Sequence, residues 1–264
     1  MKRIVNERRY AEELLDSKQI NVKRPNKDIN TIIKYYYEEN PKITKQELIG
    51  KVNEFLLEAT QDELAVKRWQ VTVKDLVSNF MGYAPKFKGL SCVEYVTITR
   101  HELDMIMDLD DYELEYIAFA MLVYLKIKNA ISGRLDNIYV PNDEPDVRLI
   151  KKISGLRLTV KQTALKIKEL QDRGYTLNGI GRTVCSKLAY VDYDSEDGLV
   201  IEDFTIGNIN LYYRSIVEGG RLIYCQECGK LVLVQGNKGQ YCKKCAKDKY
   251  LESTKETMRK KRKS

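Results

Sequence analysis

Two Cys-x-x-Cys pairs near the end of the chain constrain it most. Cys225-Gln226-Glu227-Cys228 and Cys242-Lys243-Lys244-Cys245 stand thirteen residues apart. Each pair can wrap a tight knuckle that turns two sulfurs toward one ion, and four thiolates at this spacing suit a structural Zn2+ site with Cys225, Cys228, Cys242 and Cys245 as ligands. Gly229 follows the second sulfur of its pair, where a residue free to take positive φ is useful. Between the pairs, Lys230–Val234 reads as a strand, Gln235–Gly239 as a turn and Gln240-Tyr241 as the start of the return. The alternative is two disulfides or a redox pair. Against it, no signal-like stretch precedes the site, and the remaining cysteines, Cys92 and Cys185, stand alone.

On these residues, 221–246 resembles a zinc ribbon. The resemblance implies a metal-stapled module and names no partner, since such ribbons hold protein, DNA or RNA. Charge narrows the choice. Residues 221–264 hold 13 Lys/Arg against 4 Asp/Glu, a formal +9, and the rest of the chain carries −2. Four metal-bound thiolates lower the tail by about two units and leave it with the whole excess. Such asymmetry favours a polyanion, nucleic acid first, over a merely solubilising tail. The longest apolar run, Tyr116–Leu125, is too short to span a bilayer, and Met1-Lys2-Arg3 leads into charged residues. The expected setting is therefore cytoplasmic, with no membrane partner.

Residues 1–88 read as a helical domain. Ile4–Leu15 and Lys27–Glu39 have helical composition, and Thr44-Lys45-Gln46-Glu47 is a capping box. The helix it opens lines up Leu48, Val52, Phe55 and Leu56. A fourth helix from about Gln61 aligns Trp69, Val73, Leu76, Val77 and Phe80, so the one tryptophan reads as core. Tyr35-Tyr36-Tyr37 offers stacking surfaces for single-stranded DNA or RNA, but three successive helical residues point in three directions, and a mixture of core and surface is the simpler reading. The run from Tyr10-Ala11-Glu12-Glu13-Leu14-Leu15 through Ile32–Tyr37 to Lys67-Arg68-Trp69 resembles uncharacterised proteins of Gram-positive phages and prophages. Those carry a similar helical start and end in a Cys-x-x-Cys ribbon with a basic tail. The resemblance implies a mobile element in a bacterial host cell and no established activity.

Ala84–Gly89 breaks the helical pattern and marks a domain boundary. In the middle domain, 89–220, Val93–Ile98 reads as a strand and Thr99-Arg100-His101-Glu102 as a capping box whose lone histidine is solvated. Asp111 caps a long helix to about Ile131, apolar on nearly every face. Asp146–Ser154, stopped by Gly155, and a helix opened by Thr159 and Gln162 and stopped by Gly174 make a helix-turn-helix unit. Two extended segments follow, Thr183–Val191 and Gly198–Phe204, with Asp194–Gly198 as the turn. Three helices closed by a hairpin resemble the winged-helix class of DNA-binding domains. On the second helix, Val160, Ala164, Ile167 and Leu170 are expected inward. Lys161, Gln162, Lys166, Lys168 and Arg173 then face a duplex, and Leu165 points outward with them. Arg182 and Lys187 on the hairpin, and Arg259, Lys260, Lys261, Arg262 and Lys263 in the tail, 247–264, are the expected phosphate contacts.

Chemistry is absent by motif. There is no P-loop and no nucleophile elbow, Gly179-Ile180-Gly181 lacks a third glycine, and Asp192–Gly198 misplaces the glycine of a calcium loop. No small-molecule substrate is indicated. The expected architecture is mainly α with small β elements: a helical N-terminal domain, a winged-helix-like middle domain and a C-terminal zinc ribbon. The expected function is a non-enzymatic DNA-binding protein, a transcription regulator or replication initiation factor. Its rival is a protein-interaction module that inhibits a host or defence factor, with the ribbon purely structural.

Overall fold

The computed structural model describes residues 5–22, 25–132, 139–141, 144–178, 185–192, 197–236 and 239–261. The chain is mainly helical with small sheets, and it divides into two compact units, 1–94 and 95–264. The break falls after Glu94 because Phe87 and Ala84, beyond the last long helix of the first unit, still pack on that unit's core.

The first unit stacks four helices: α1 (Glu7–Ser17), α2 (Asn26–Glu39), α3 (Lys45–Thr60) and α4 (Glu63–Tyr83). Thr44 and Glu47 form the expected reciprocal box at the start of α3, and Leu48, Val52, Phe55 and Leu56 are all buried. Trp69 packs against the same core from its edge. Tyr37 joins an aromatic cluster, with its ring centroid 5.2 Å from Phe80, itself 5.3 Å from Phe87. Tyr36 packs against the core beside it, edge-on to Tyr35. The tyrosine run is thus divided between core and surface, and no open row of rings is left for stacking.

The second unit is built around α6 (Tyr112–Ser132). Asp111 accepts from the backbone N–H groups of Glu113 and Leu114 at its start, and every residue from Tyr116 to Leu125 is buried. A helix apolar all round must be covered all round. The cover comes from α5 (Arg100–Met107), α7 (Glu144–Ser154), α8 (Val160–Asp172) and α9 (Ile209–Val217). Thr99 and Glu102 box the start of α5, where His101 is exposed. Beneath it lies an ion pair: Lys126 donates to the fully buried Glu102 at 2.6 Å and to the Thr97 carbonyl at 2.8 Å. The other oxygen of Glu102 accepts from the Asp192 N–H at 2.9 Å, so the buried charge is paired and hydrogen-bonded.

The strands pair differently from expectation. β1 (Val96–Thr99) pairs antiparallel with β5 (Gly198–Ile201), and β2 (Tyr139–Pro141), β3 (Thr176–Asn178) and β4 (Cys185–Leu188) form a sheet in the order β2-β4-β3. The segments around 185 and 198 are therefore not partners in one hairpin, which corrects the expected closure. β4 is flanked on both sides and has no edge to offer, whereas β5 fits β1 through Gly198. A Cβ there would lie 2.0 Å from the Ile98 carbonyl oxygen, so only glycine allows the approach. The hairpin that follows α8 is β3 with β4. Residues 193–196 of the acidic stretch Asp192–Gly198 and the whole Gly179–Gly181 motif lie outside the described residues.

After α9, β6 (Arg221–Tyr224) pairs antiparallel with β7 (Leu231–Val234), and α10 (Lys243–Lys261) is the last described element. The partner of the 230–234 strand is thus the segment before the first cysteine pair. Gln240, expected to begin a return strand, contributes only a carbonyl that accepts from the Gln226 N–H at 3.1 Å.

Candidate metal centre and the outer face of α8

The four sulfurs of Cys225, Cys228, Cys242 and Cys245 all lie within 4.8 Å of one another. The first knuckle closes where the Cys225 N–H donates to the Lys230 carbonyl at 2.9 Å and the Gly229 N–H to the Cys225 carbonyl at 2.8 Å, with Gly229 at φ 65. The second knuckle opens α10, so the helix start fixes Cys242 and Cys245. Backbone donors already face the sulfurs: Cys242 N–H to Cys225 Sγ at 3.3 Å, and Cys245 N–H to Cys242 Sγ at 3.4 Å.

These donors stabilise negative sulfur. The backbone N–H groups of Cys242 and Cys228 pull the Cys225 thiol down to about 6, and that of Cys245 lowers Cys242. The Cys245 thiol moves the other way, to about 12, because it hydrogen-bonds the Cys242 sulfur and sits beside the others. Four sulfurs that share protons unevenly around one point form a locus a divalent cation can occupy. A tetrahedral ion with Zn–S bonds near 2.3 Å sets sulfurs roughly 3.8 Å apart. Cys228 and Cys242 stand at 3.9 Å, so the cage is compatible with zinc.

The second candidate surface is α8. Thr159 and Gln162 form the expected box: the Gln162 side-chain oxygen accepts from the Thr159 N–H at 2.8 Å and from its hydroxyl at 2.9 Å. The buried arc is Thr163, Ile167 and Leu170, with Ala164 exposed, a correction to the expected inward arc. Thr163 tolerates burial because its hydroxyl donates to the Thr159 carbonyl at 3.0 Å. Counting it as polar conceals this from a reading of the sequence.

The expected cations of α8 are not equivalent. Lys166 turns toward the start of α6 and lies 3.3 Å from Asp111, 3.5 Å from Glu113 and 3.3 Å from Glu169. Burial acts to lower its ammonium, but hydrogen bonds to Glu169 and Asp111 outweigh it and hold the group above its ordinary value. Arg173 donates to the Leu109 carbonyl at 3.0 Å and to Glu169 at 2.8 Å, while Lys168 pairs with Asp172 at 2.8 Å in solvent. Lys161 is exposed and has no ion pair among the described residues. Beside it Ala164 is exposed and Leu165 is 61 % exposed. Lys187 is exposed on β4. Arg182, Arg262 and Lys263 lie outside the described residues, and Arg259, Lys260 and Lys261 fall within α10, whose backbone is described there.

Sequence reasoning missed β2 and β3, and it left 208–217, where α9 forms, open between helix and strand. Only α9 left a usable signal: Ile209, Tyr212, Tyr213 and Ile216 recur at helical spacing. Among the described residues, no helix is long and apolar enough to cross a membrane. The chain matches no model of a known protein family, no curated protein and no solved structure.

Proposed function

We propose that the chain is a non-enzymatic DNA-binding protein whose middle region is a winged helix that sets α8 against duplex DNA. The observation that carries this reading is topological. α6, β2, α7, α8, β3 and β4 follow in the order helix, strand, helix, helix, strand, strand, with the sheet ordered β2-β4-β3. This order supports a winged-helix reading, in which the second helix of the α7–α8 pair would take the recognition position and the β3–β4 hairpin the wing.

In this arrangement Lys161 contacts a phosphate or guanine, small Ala164 lets the helix approach, and Leu165 meets a thymine methyl. Gln162 is restricted to donating, because its oxygen is held in the capping box. It therefore lacks the acceptor that bidentate pairing with adenine requires. Lys187 on β4 supplies a phosphate contact from the wing, and Zn2+ held by Cys225, Cys228, Cys242 and Cys245 orients α10, whose basic end adds phosphate contacts. The resemblance of the N-terminal run to phage proteins is the ground for setting this role, in transcription control or replication initiation, on a mobile element. Selection of bound sequences from random duplexes tests the reading. The full chain is expected to enrich a motif, and Lys161→Ala with Leu165→Ala to abolish the enrichment while leaving the circular dichroism unchanged. Enrichment that survives both substitutions overturns it.

A second reading is favoured by the ion pairs. With Lys166, Lys168 and Arg173 matched to carboxylates and Leu165 exposed, the same face suits docking to a protein, such as a host or defence factor. No duplex binding at low salt, together with a complex that Leu165→Asp breaks, favours this reading.

A further inference from the structure

A cation that no site above includes, Arg157, lies in the segment that enters α8. Ser154 ends α7 with a hydroxyl that donates to the Lys151 carbonyl at 2.9 Å and accepts from the Leu156 N–H at 3.4 Å. Gly155 turns the chain at φ 69 with Asn210 of α9 set against it, so that a Cβ there would lie 2.0 Å from Asn210 Nδ2. From this pinned turn to the cap of α8 burial alternates, as it does where successive side chains point to opposite sides. Leu156 and Leu158 are half-buried, whereas Arg157 and Thr159 are exposed. Arg157 is therefore presented outward just before the helix begins, and Lys161 is exposed in its first turn. Neither has an ion pair among the described residues.

The two halves of α8 differ in charge. Beyond Leu165, the cations Lys166, Lys168 and Arg173 pair at 2.8 to 3.5 Å with Asp111, Glu113, Glu169 and Asp172. Three cations against four carboxylates leave that half with a net −1, while Arg157 and Lys161 leave the entry half with +2. We infer, on the winged-helix reading, that Arg157 is a phosphate-binding residue that holds one strand of a duplex beside Lys161. The duplex then meets α8 at its entry, and the carboxylates around Lys166 and Lys168 keep phosphates from the far half. Arginine suits the position, because its planar fork of N–H donors matches two phosphate oxygens at once.

The test measures the affinity of the full chain for duplex DNA between about 50 and 200 mM salt, with the selected motif and a random-sequence duplex as probes. Each phosphate contact adds about 0.9 to the slope of log affinity against log salt. Arg157→Gln is expected to lower the slope by about 0.9 and to weaken both duplexes by the same factor, because a phosphate carries no sequence. Arg157→Lys is expected to restore the slope, which a mere disturbance of the turn would not allow. Lys168→Gln with Asp172→Asn removes an ion pair without changing the net charge, and is expected to leave the slope unaltered. All these side chains are exposed, and circular dichroism verifies that the fold is kept. A slope unchanged by Arg157→Gln, or lowered by the Lys168 and Asp172 substitutions, overturns the inference while the duplex still binds. A chain that binds no duplex at low salt overturns it together with the winged-helix reading.

Discussion

The α6 core and the ribbon keep their shape by opposite means. Around α6, ten consecutive residues from Tyr116 to Leu125 are buried, and helices cover them on all sides. In the ribbon, β6 and β7 bury little: Leu231 and Cys225 are buried, whereas Leu222, Ile223 and Val232 to Val234 are partly open. Apolar burial at about 25 cal/mol per Å2 can hold the first region and has too little area to work with in the second. What remains there is the sulfur cage. Stability in one region is spread over many side chains, and in the other it is concentrated at four.

The largest expected effect breaks that comparison on the ribbon side. Structural zinc contributes on the order of 10–16 kcal/mol of apparent binding energy to small modules. Cys225→Ser or chelation should remove one zinc per chain and erase amide protection from 221 onward, with protection on α6 retained. Persistent protection in the metal-free ribbon would place its stability elsewhere. Next comes the buried pair. Lys126→Met leaves Glu102 buried and charged with backbone donors but no cation, and should cost the second unit about 3 kcal/mol in urea unfolding. The metal content should not change. Ile117→Ala, at the centre of α6, should cost about 2–5 kcal/mol by opening a cavity, again with the zinc stoichiometry intact.

Smaller effects sharpen the picture at α8. Thr159→Ala removes a cap and should cost about 1 kcal/mol, visible as a lower urea midpoint. Asp111 gives the smallest. The backbone N–H of Leu114 and the Lys166 ammonium hold its carboxyl below the usual range. A depressed folded value contributes stability that is present above the unfolded value, near about 4, and is lost as pH falls through the folded one. Asp111→Asn keeps a capping side chain, so it should flatten the acid limb of the stability profile by under about 1 kcal/mol. A larger change would mean that the Lys166 cluster carries more of the packing than its partial exposure indicates.

Much of this was legible where local chemistry decides the outcome. The three capping boxes at Thr44, Thr99 and Thr159, the stops at Gly155 and Gly174, and the cysteine cage all depend on residues a few positions apart. Strand pairing was not legible, because the choice between β3 and β5 as a neighbour of β4 is made by segments distant in the chain. The three-residue strands β2 and β3 are too short for alternation to register. On α8, spacing showed which residues are cationic but not that Lys166 turns toward Asp111, fifty-five positions away.

What touches the outer face of α8 decides whether the chain binds duplex DNA as proposed. A photo-crosslinking amino acid at position 165, where Leu165 is 61 % exposed, reports this directly in the full chain irradiated with random-sequence duplex at low salt. A protein–DNA crosslink at that position, lost at high salt, is the predicted result. Binding of the duplex with no crosslink from position 165, while probes elsewhere do crosslink, would contradict it.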